Sequence, residues 1–179
     1  GEDEKILEAH KLLRDKIPEA LLILVPRHPE RFSSVNELCK SQGFNVLSRT
    51  RKQAITQSTS VYLGDTMGEM LVLIGAADIC FMGGSLIGEK VGGHNLLEPA
   101  ALAKPCLTGP SFYNFQIITE QLINEHACIV CQSAEDIASN LVALFSDKAR
   151  LQQMGMAALN VVNKNKGALN STLALLDLH

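Results

Sequence analysis

The chain has 179 residues, 46% apolar and 20% charged, with a formal net charge of −3. That size and balance describe an ordered globular domain of about 100–200 residues and exclude a disordered chain. They also exclude a basic field for nucleic acid, and 4% aromatics with no Trp leave little for bases to stack on.

Read in chain order, helical and extended patterns alternate. Ile6, Ala9, Leu13 and Ile17 recur at a helical period. Residues 21–25 are a short, continuous apolar run before Pro26, as in a buried strand. Pro29 suits the first position of a helix reaching about residue 42 and stopped by Gly43. A strand is expected at 45–47, a basic, polar surface loop at 49–58, a strand at 60–63 closed by Gly64, and a helix at 67–74. Residues 78–82 form a strand that enters a glycine-rich segment. Beyond it come a helix at 96–103, with Pro99 in its first turn, a strand at 105–108, a helix at 114–124 and a strand at 127–131. A helix at 133–145 is capped by Ser133, and helices at 147–164 and 167–177 end the chain. Strands that are apolar throughout and separated by helices indicate a parallel sheet covered on both faces, a Rossmann-like, doubly wound α/β fold. No second domain boundary is visible, so 1–179 reads as a single domain. No apolar run reaches the ~18 residues of a membrane span.

Five cysteines at 39, 80, 106, 128 and 131 give an odd count without a disulfide framework. Cys80, Cys106 and Cys128 lie in apolar stretches, as small buried hydrophobes do. Cys128 and Cys131 have CxxC spacing, but on a strand they point to opposite faces. A metal site is therefore not expected, and a reducing compartment is the natural one.

Ligands of such sheets bind at the carboxyl ends of the strands, so the loops there are the candidate site. Eight of the 13 glycines fall between Gly64 and Gly93. The Gly83-Gly84-Ser85 turn follows a strand and reads either as a phosphate cradle or as an ordinary tight turn. It is not a Walker loop: Gly83 and Gly88 have the spacing, but Glu89 precedes Lys90 and Val91 replaces the hydroxyl. Gly92-Gly93-His94-Asn95 leads into a helix start. There Glu98 closes a capping box with Asn95 or accepts hydrogen bonds from a ribose diol. Pro26-Arg27-His28-Pro29 holds a cation between two prolines at a strand's end, suited to phosphate. In Gly64-Asp65-Thr66-Met67-Gly68, Met67 offers a polarizable thioether to a base, and Gly68 lets a flat ligand come close.

Together, LVPRHPERF, YLGDTMGEM, ADICFMGGSL and GGHNLLEPAALAKPCLTGP, in this order, resemble the carboxyl-terminal half of 3-deoxy-D-manno-octulosonic acid (Kdo) transferase. The resemblance implies the carboxyl-terminal domain of a two-domain GT-B glycosyltransferase, one that moves Kdo from CMP-Kdo to the lipid A precursor. It implies that Pro26, Arg27 and His28 face the CMP moiety and that Thr66, Met67 and Gly68 meet the cytidine. Gly83, Gly84 and Ser85 would approach the phosphate or sugar, His94 and Asn95 the phosphate, and Glu98 the ribose hydroxyls. No catalytic residue, metal or cofactor is expected here. The base and the membrane anchor belong to an amino-terminal half, which is the expected partner together with CMP-Kdo and, through that half, the lipid acceptor. Helices 147–177 would pack on this domain or toward that half. The parent enzyme is expected at the cytoplasmic face of the inner membrane, and this chain as a soluble piece of it. A UDP-sugar transferase or epimerase half, or a nucleotide-binding module without catalysis, is the alternative. The family pattern GGHNPLEPA has a proline where this chain has Leu96.

Overall fold

The structure, a computed structural model, describes residues 1–176, with the side chains of Glu89 and of 167–176 outside the description. Among the described residues six strands form, all three residues long and all in parallel pairs. β1 (Leu22–Leu24), β2 (Val46–Ser48) and β3 (Val61–Leu63) make one sheet in the order β1-β3-β2. β4 (Cys80–Met82), β5 (Cys106–Thr108) and β6 (Cys128–Val130) make another in the order β4-β5-β6. The helices are α1 (Glu2–Arg14), α2 (Phe32–Ser41), α3 (Met70–Ala76), α4 (Leu97–Ala101), α5 (Gln116–Asn124), α6 (Ala134–Ser146) and α7 (Lys148–Leu176). The α/β fold with parallel strands is thus the one the apolar pattern indicates.

The chain divides into two compact units, each built from two stretches of sequence. The first holds Gly1–Ala77 and Gln132–Ser146; the second holds Asp78–Cys131 and the chain from Asp147. In the first unit β3 is central and fully buried, and its alternation divides the core. Val61 and Leu63 pack with Leu7 of α1 and with Val35 and Cys39 of α2. Tyr62 points the other way and packs with Leu47 and Leu73 of α3. Each such buried Leu or Val contributes about 1.5–3 kcal/mol from area removed from water. α6 packs on α1 in this unit. Its start is capped as expected: the Asp136 N–H donates to Ser133 Oγ at 3.2 Å, and Asp136 Oδ2 accepts from the Gln132 N–H at 2.9 Å.

In the second unit Leu96, Ala100, Cys106, Leu122, Cys128, Ala158 and Val161 form the core, so α4, α5 and α7 cover β5 and β6. Cys80, Cys106 and Cys128 stand in register across the sheet, a row of three buried sulfurs. Burial pushes the Cys80 thiol up to about 11 and the Cys128 thiol to about 12, so they act as apolar fillers. None of the five cysteines is in a disulfide, and among the described residues no group of His, Cys, Asp or Glu is placed to hold a metal.

The two helices expected at 147–164 and 167–177 are one helix to Leu176, with Asp177 outside the described residues. Gly167 within a helix costs only about 1 kcal/mol and does not stop it. Gly155 lets α7 lie close: a Cβ there would come 2.1 Å from the Ala103 carbonyl oxygen, just past α4. No helix among the described residues is long and apolar enough to cross a membrane.

Candidate functional site

The first unit gathers three loops at the carboxyl edge of its sheet, because β1 and β2 flank β3 in register. The Gly64 N–H donates to the Leu24 carbonyl at 2.8 Å, tying the loop after β3 to the end of β1. Pro26 is buried, while Arg27 and His28 are exposed. Neither side chain has a hydrogen bond or ion pair among the described residues, and neither pairs with Glu30. The next cation, Arg31, is instead paired with Asp3 of α1. The loop after β1 therefore presents an uncommitted guanidinium and imidazole.

The loop after β3 is longer than its pattern suggests. The helix expected from 67 starts at Met70, because Gly68 sits at φ +79° and breaks the helical run. Space is open where a Gly68 Cβ would stand, so the glycine is needed here for its conformation and not for room. Thr66 is half-buried and Met67 is 66% exposed.

What fixes this loop is the segment after β2. Arg49 Nε and Nη2 donate to Glu69 Oε2 and Oε1 at 3.1 and 2.9 Å, a two-pronged pair. The Thr66 hydroxyl donates to the same Glu69 Oε2 at 2.6 Å. The Thr50 N–H and hydroxyl donate to the two Asp65 oxygens at 2.9 and 2.6 Å. Arg49, then Thr66, holds the Glu69 carboxyl down at about 2. Residues 49–52 lie at the surface as the sequence suggests, with Thr50, Arg51 and Lys52 exposed, but Arg49 and Thr50 are engaged by carboxylates there. No local signal marks them, since their partners lie 20 and 15 residues away.

In the second unit the Gly83-Gly84-Ser85 turn leads into a short 3-10 turn at Gly88–Lys90 and not into an α-helix. Gly84 is at φ +72°, and a Cβ there would come 3.2 Å from His94 Nε2. The Gly93 N–H donates to the Gly84 carbonyl at 2.9 Å, so the two glycine pairs are joined. Ser85 is fully buried; its hydroxyl donates to the Met82 carbonyl at 2.8 Å and accepts from the Gly109 N–H at 2.7 Å. Ser85 thus secures the turn to the loop after β5. That loop also straps the glycines down: the Ser111 hydroxyl donates to the Gly88 carbonyl at 2.7 Å and Asn114 Nδ2 to the Val91 carbonyl at 2.6 Å. The aromatic ring of Tyr113 occupies the space a Gly92 side chain would need.

α4 starts one residue later than an Asn95 cap requires. Asn95 Oδ1 accepts from the Leu97 N–H at 3.0 Å, Leu96 is the cap residue, and Glu98 falls in the second helical position. The capping box therefore does not form. Glu98 is exposed and has no hydrogen-bond partner among the described residues. Leu96, where the family pattern has proline, is fully buried in the core and anchors the helix start. Pro99, in the first turn, is also buried.

No protein-family model matches the chain. A 3-deoxy-D-manno-octulosonic acid transferase of Haemophilus influenzae is 42% identical over 98% of this chain and 41% of its own length. The crystal structure of the C-terminal CMP-Kdo binding domain of WaaA from Acinetobacter baumannii superposes with a TM-score of 0.85 at 37% identity, over 90% of this chain and 83% of that one. The chain belongs to the 3-deoxy-D-manno-octulosonic acid transferase family. Its fold is that of the carboxyl-terminal domain of these GT-B enzymes. A Bordetella pertussis Kdo transferase is 33% identical over 99% of this chain and 42% of its own length. The chain thus spans about two fifths of the length of the Kdo transferases it matches. The C-terminal domain of LpcC from Francisella tularensis, with a TM-score of 0.59 at 14% identity, shares the fold alone.

Proposed function

We propose that this chain is the donor-binding half of a Kdo transferase, holding CMP-Kdo while the sugar passes to the lipid A precursor. The whole enzyme then works at the cytoplasmic face of the inner membrane, with an amino-terminal half carrying the acceptor. The observation that carries this reading is the 0.85 TM-score to a CMP-Kdo binding domain over 90% of the chain. The uncommitted side chains agree with it. Arg27 and His28 suit a phosphate, and Glu98 is an acceptor-only group suited to a ribose diol. Met67 and Gly68 are assigned to the base, and the Gly83-Gly84 turn with His94 and Asn95 to the phosphate and sugar.

In transfer, the bond between the anomeric carbon of Kdo and the phosphate oxygen breaks, and CMP leaves with the electron pair. Backbone N–H groups and a side-chain donor stabilise the charge that grows on the phosphate; the candidate donor is Arg27 in the first unit and His94 in the second. The acceptor hydroxyl oxygen forms the new bond, and its proton passes to a base. Glu69 is a poor base, because Arg49 and Thr66 already occupy its oxygens and hold its carboxyl down at about 2. Asp65 is likewise taken up by Thr50. By the family resemblance, the base is assigned to the remainder of the enzyme. No cofactor enters this reading; the nucleotide sugar is the substrate.

Calorimetric titration with CMP, UMP and UDP tests it. CMP should bind most tightly, and Glu98→Ala should weaken it about tenfold or more, as loss of a charged hydrogen-bond acceptor does. The chain alone should release no CMP from CMP-Kdo with lipid acceptor. UMP or UDP binding as tightly as CMP would favour the UDP-sugar alternative, and turnover would place the base within this chain.

A further inference from the structure

Arg49 and Thr50 stand outside every role assigned so far, yet they make the densest set of side-chain hydrogen bonds at the sheet edge of the first unit. Arg49 takes both oxygens of Glu69, Glu69 takes the Thr66 hydroxyl, and Arg49 Nη1 reaches the Tyr62 hydroxyl at 3.5 Å. Thr50 takes both oxygens of Asp65. The residues so held, Asp65, Thr66 and Glu69, bracket Met67 and Gly68. Those two have no such ties: Met67 is 66% exposed, and Gly68 is at φ +79° with open space beside it. A loop fixed at both ends and exposed at its middle presents that middle in one conformation before any ligand arrives, and preorganisation of this kind raises affinity.

We propose that Arg49 and Thr50 are positioning residues for nucleoside binding: from the neighbouring strand end they clamp the 65–69 loop so that Met67 and Gly68 are set to receive the base. The inference rests on the nucleotide-binding reading above. It goes beyond that reading in making the strength of binding depend on two residues that act through the 65–69 loop.

Arg49 suits this task through its planar fork. A lysine supplies the charge from a single point and cannot span both carboxylate oxygens. The nearby Arg51 carries the same charge and has no ion pair or hydrogen bond among the described residues. Arg51→Ala therefore removes one positive charge from the same turn while leaving the clamp intact. That separates positioning from simple attraction of an anionic nucleotide.

The experiment measures CMP affinity by calorimetry and amide hydrogen exchange of the nucleotide-free chain in the native protein, Arg49→Ala, Arg49→Lys, Thr50→Val and Arg51→Ala. Arg49→Ala should bind CMP about tenfold more weakly, Arg49→Lys should recover only part of the loss, and Arg51→Ala should bind within about twofold of native. Exchange at 65–69 should rise in Arg49→Ala and in Thr50→Val while β3 stays protected, which a general loss of stability does not produce. If native protein binds CMP and Arg49→Ala binds it equally, or if Arg51→Ala weakens binding as much as Arg49→Ala, the positioning role is overturned. If native protein does not bind CMP, the nucleotide reading fails, and the role fails with it.

Discussion

Charged side chains in this molecule divide by whether the protein already answers them. Arg31 and Arg49 have carboxylate partners. Arg27, His28 and Glu98 have none among the described residues and sit on loops that follow strands or at a helix start. An unanswered cation between two prolines cannot easily turn away, so its freedom is limited to its own rotamers. His10 shows the opposite treatment. It is 4% exposed, stacks on Phe44 with ring centres 5.4 Å apart, and its Nε2–H donates to the Ser60 carbonyl at 2.8 Å. Burial lowers its pKa from 6.5 to about 4, outweighing the Ser60 bond, and the Arg14 charge acts in the same direction as burial. The folded state thus resists protonation that the unfolded chain accepts. Above pH 6.5 His10 costs nothing; between 6.5 and about 4 stability should fall, by on the order of 3 kcal/mol if this group acts alone. Urea midpoints taken across that range test this, with His10→Gln as the control that should flatten the fall. An identical slope in the variant would assign the loss elsewhere.

The residues that were legible in the sequence are those whose signal is local. Prolines around Arg27 and glycines around His94 mark their own positions. Arg49 and Thr50 were not legible, because nothing in a basic tetrapeptide says that two carboxylates from the next strand's loop will reach it. Ser85 was visible as part of a turn but not as a strut, since its partner Gly109 follows the neighbouring strand.

At the scale of elements, strand cores and most helices follow from apolar runs and caps, while two boundaries do not. α3 starts late because a positive φ at Gly68 interrupts it, and α7 runs on because one glycine is too weak a break. Gly155 shows how packing can reverse local preference. Propensity alone makes Gly155→Ala stabilising by about 1 kcal/mol within a helix. The close Ala103 carbonyl, backbone and not a movable side chain, makes it destabilising by about 1–3 kcal/mol. Chemical denaturation of that variant decides between them, and a raised midpoint would mean α7 can shift at little cost.

For the whole molecule, the order of strands, helices and loops was readable from periodicity, because each unit uses the same parallel plan. Its division into two units was not, because α6 returns to pack on α1 more than a hundred residues earlier in the chain, and no composition change announces such a return. The distribution of sulfur follows that division. Cys39 lies in the core of the first unit; Cys80, Cys106, Cys128 and Cys131 lie buried in the second. Each unit therefore carries its own chemical clock. A thiol reagent can reach these positions only when the surrounding core opens, and mass spectrometry tells one sulfur from four. Under mild denaturant, the first modified molecules should carry either Cys39 alone or the second unit's four together. Early species mixing Cys39 with only some of the four would show that opening does not follow the units, and the order of the two events would name the one that gives way first.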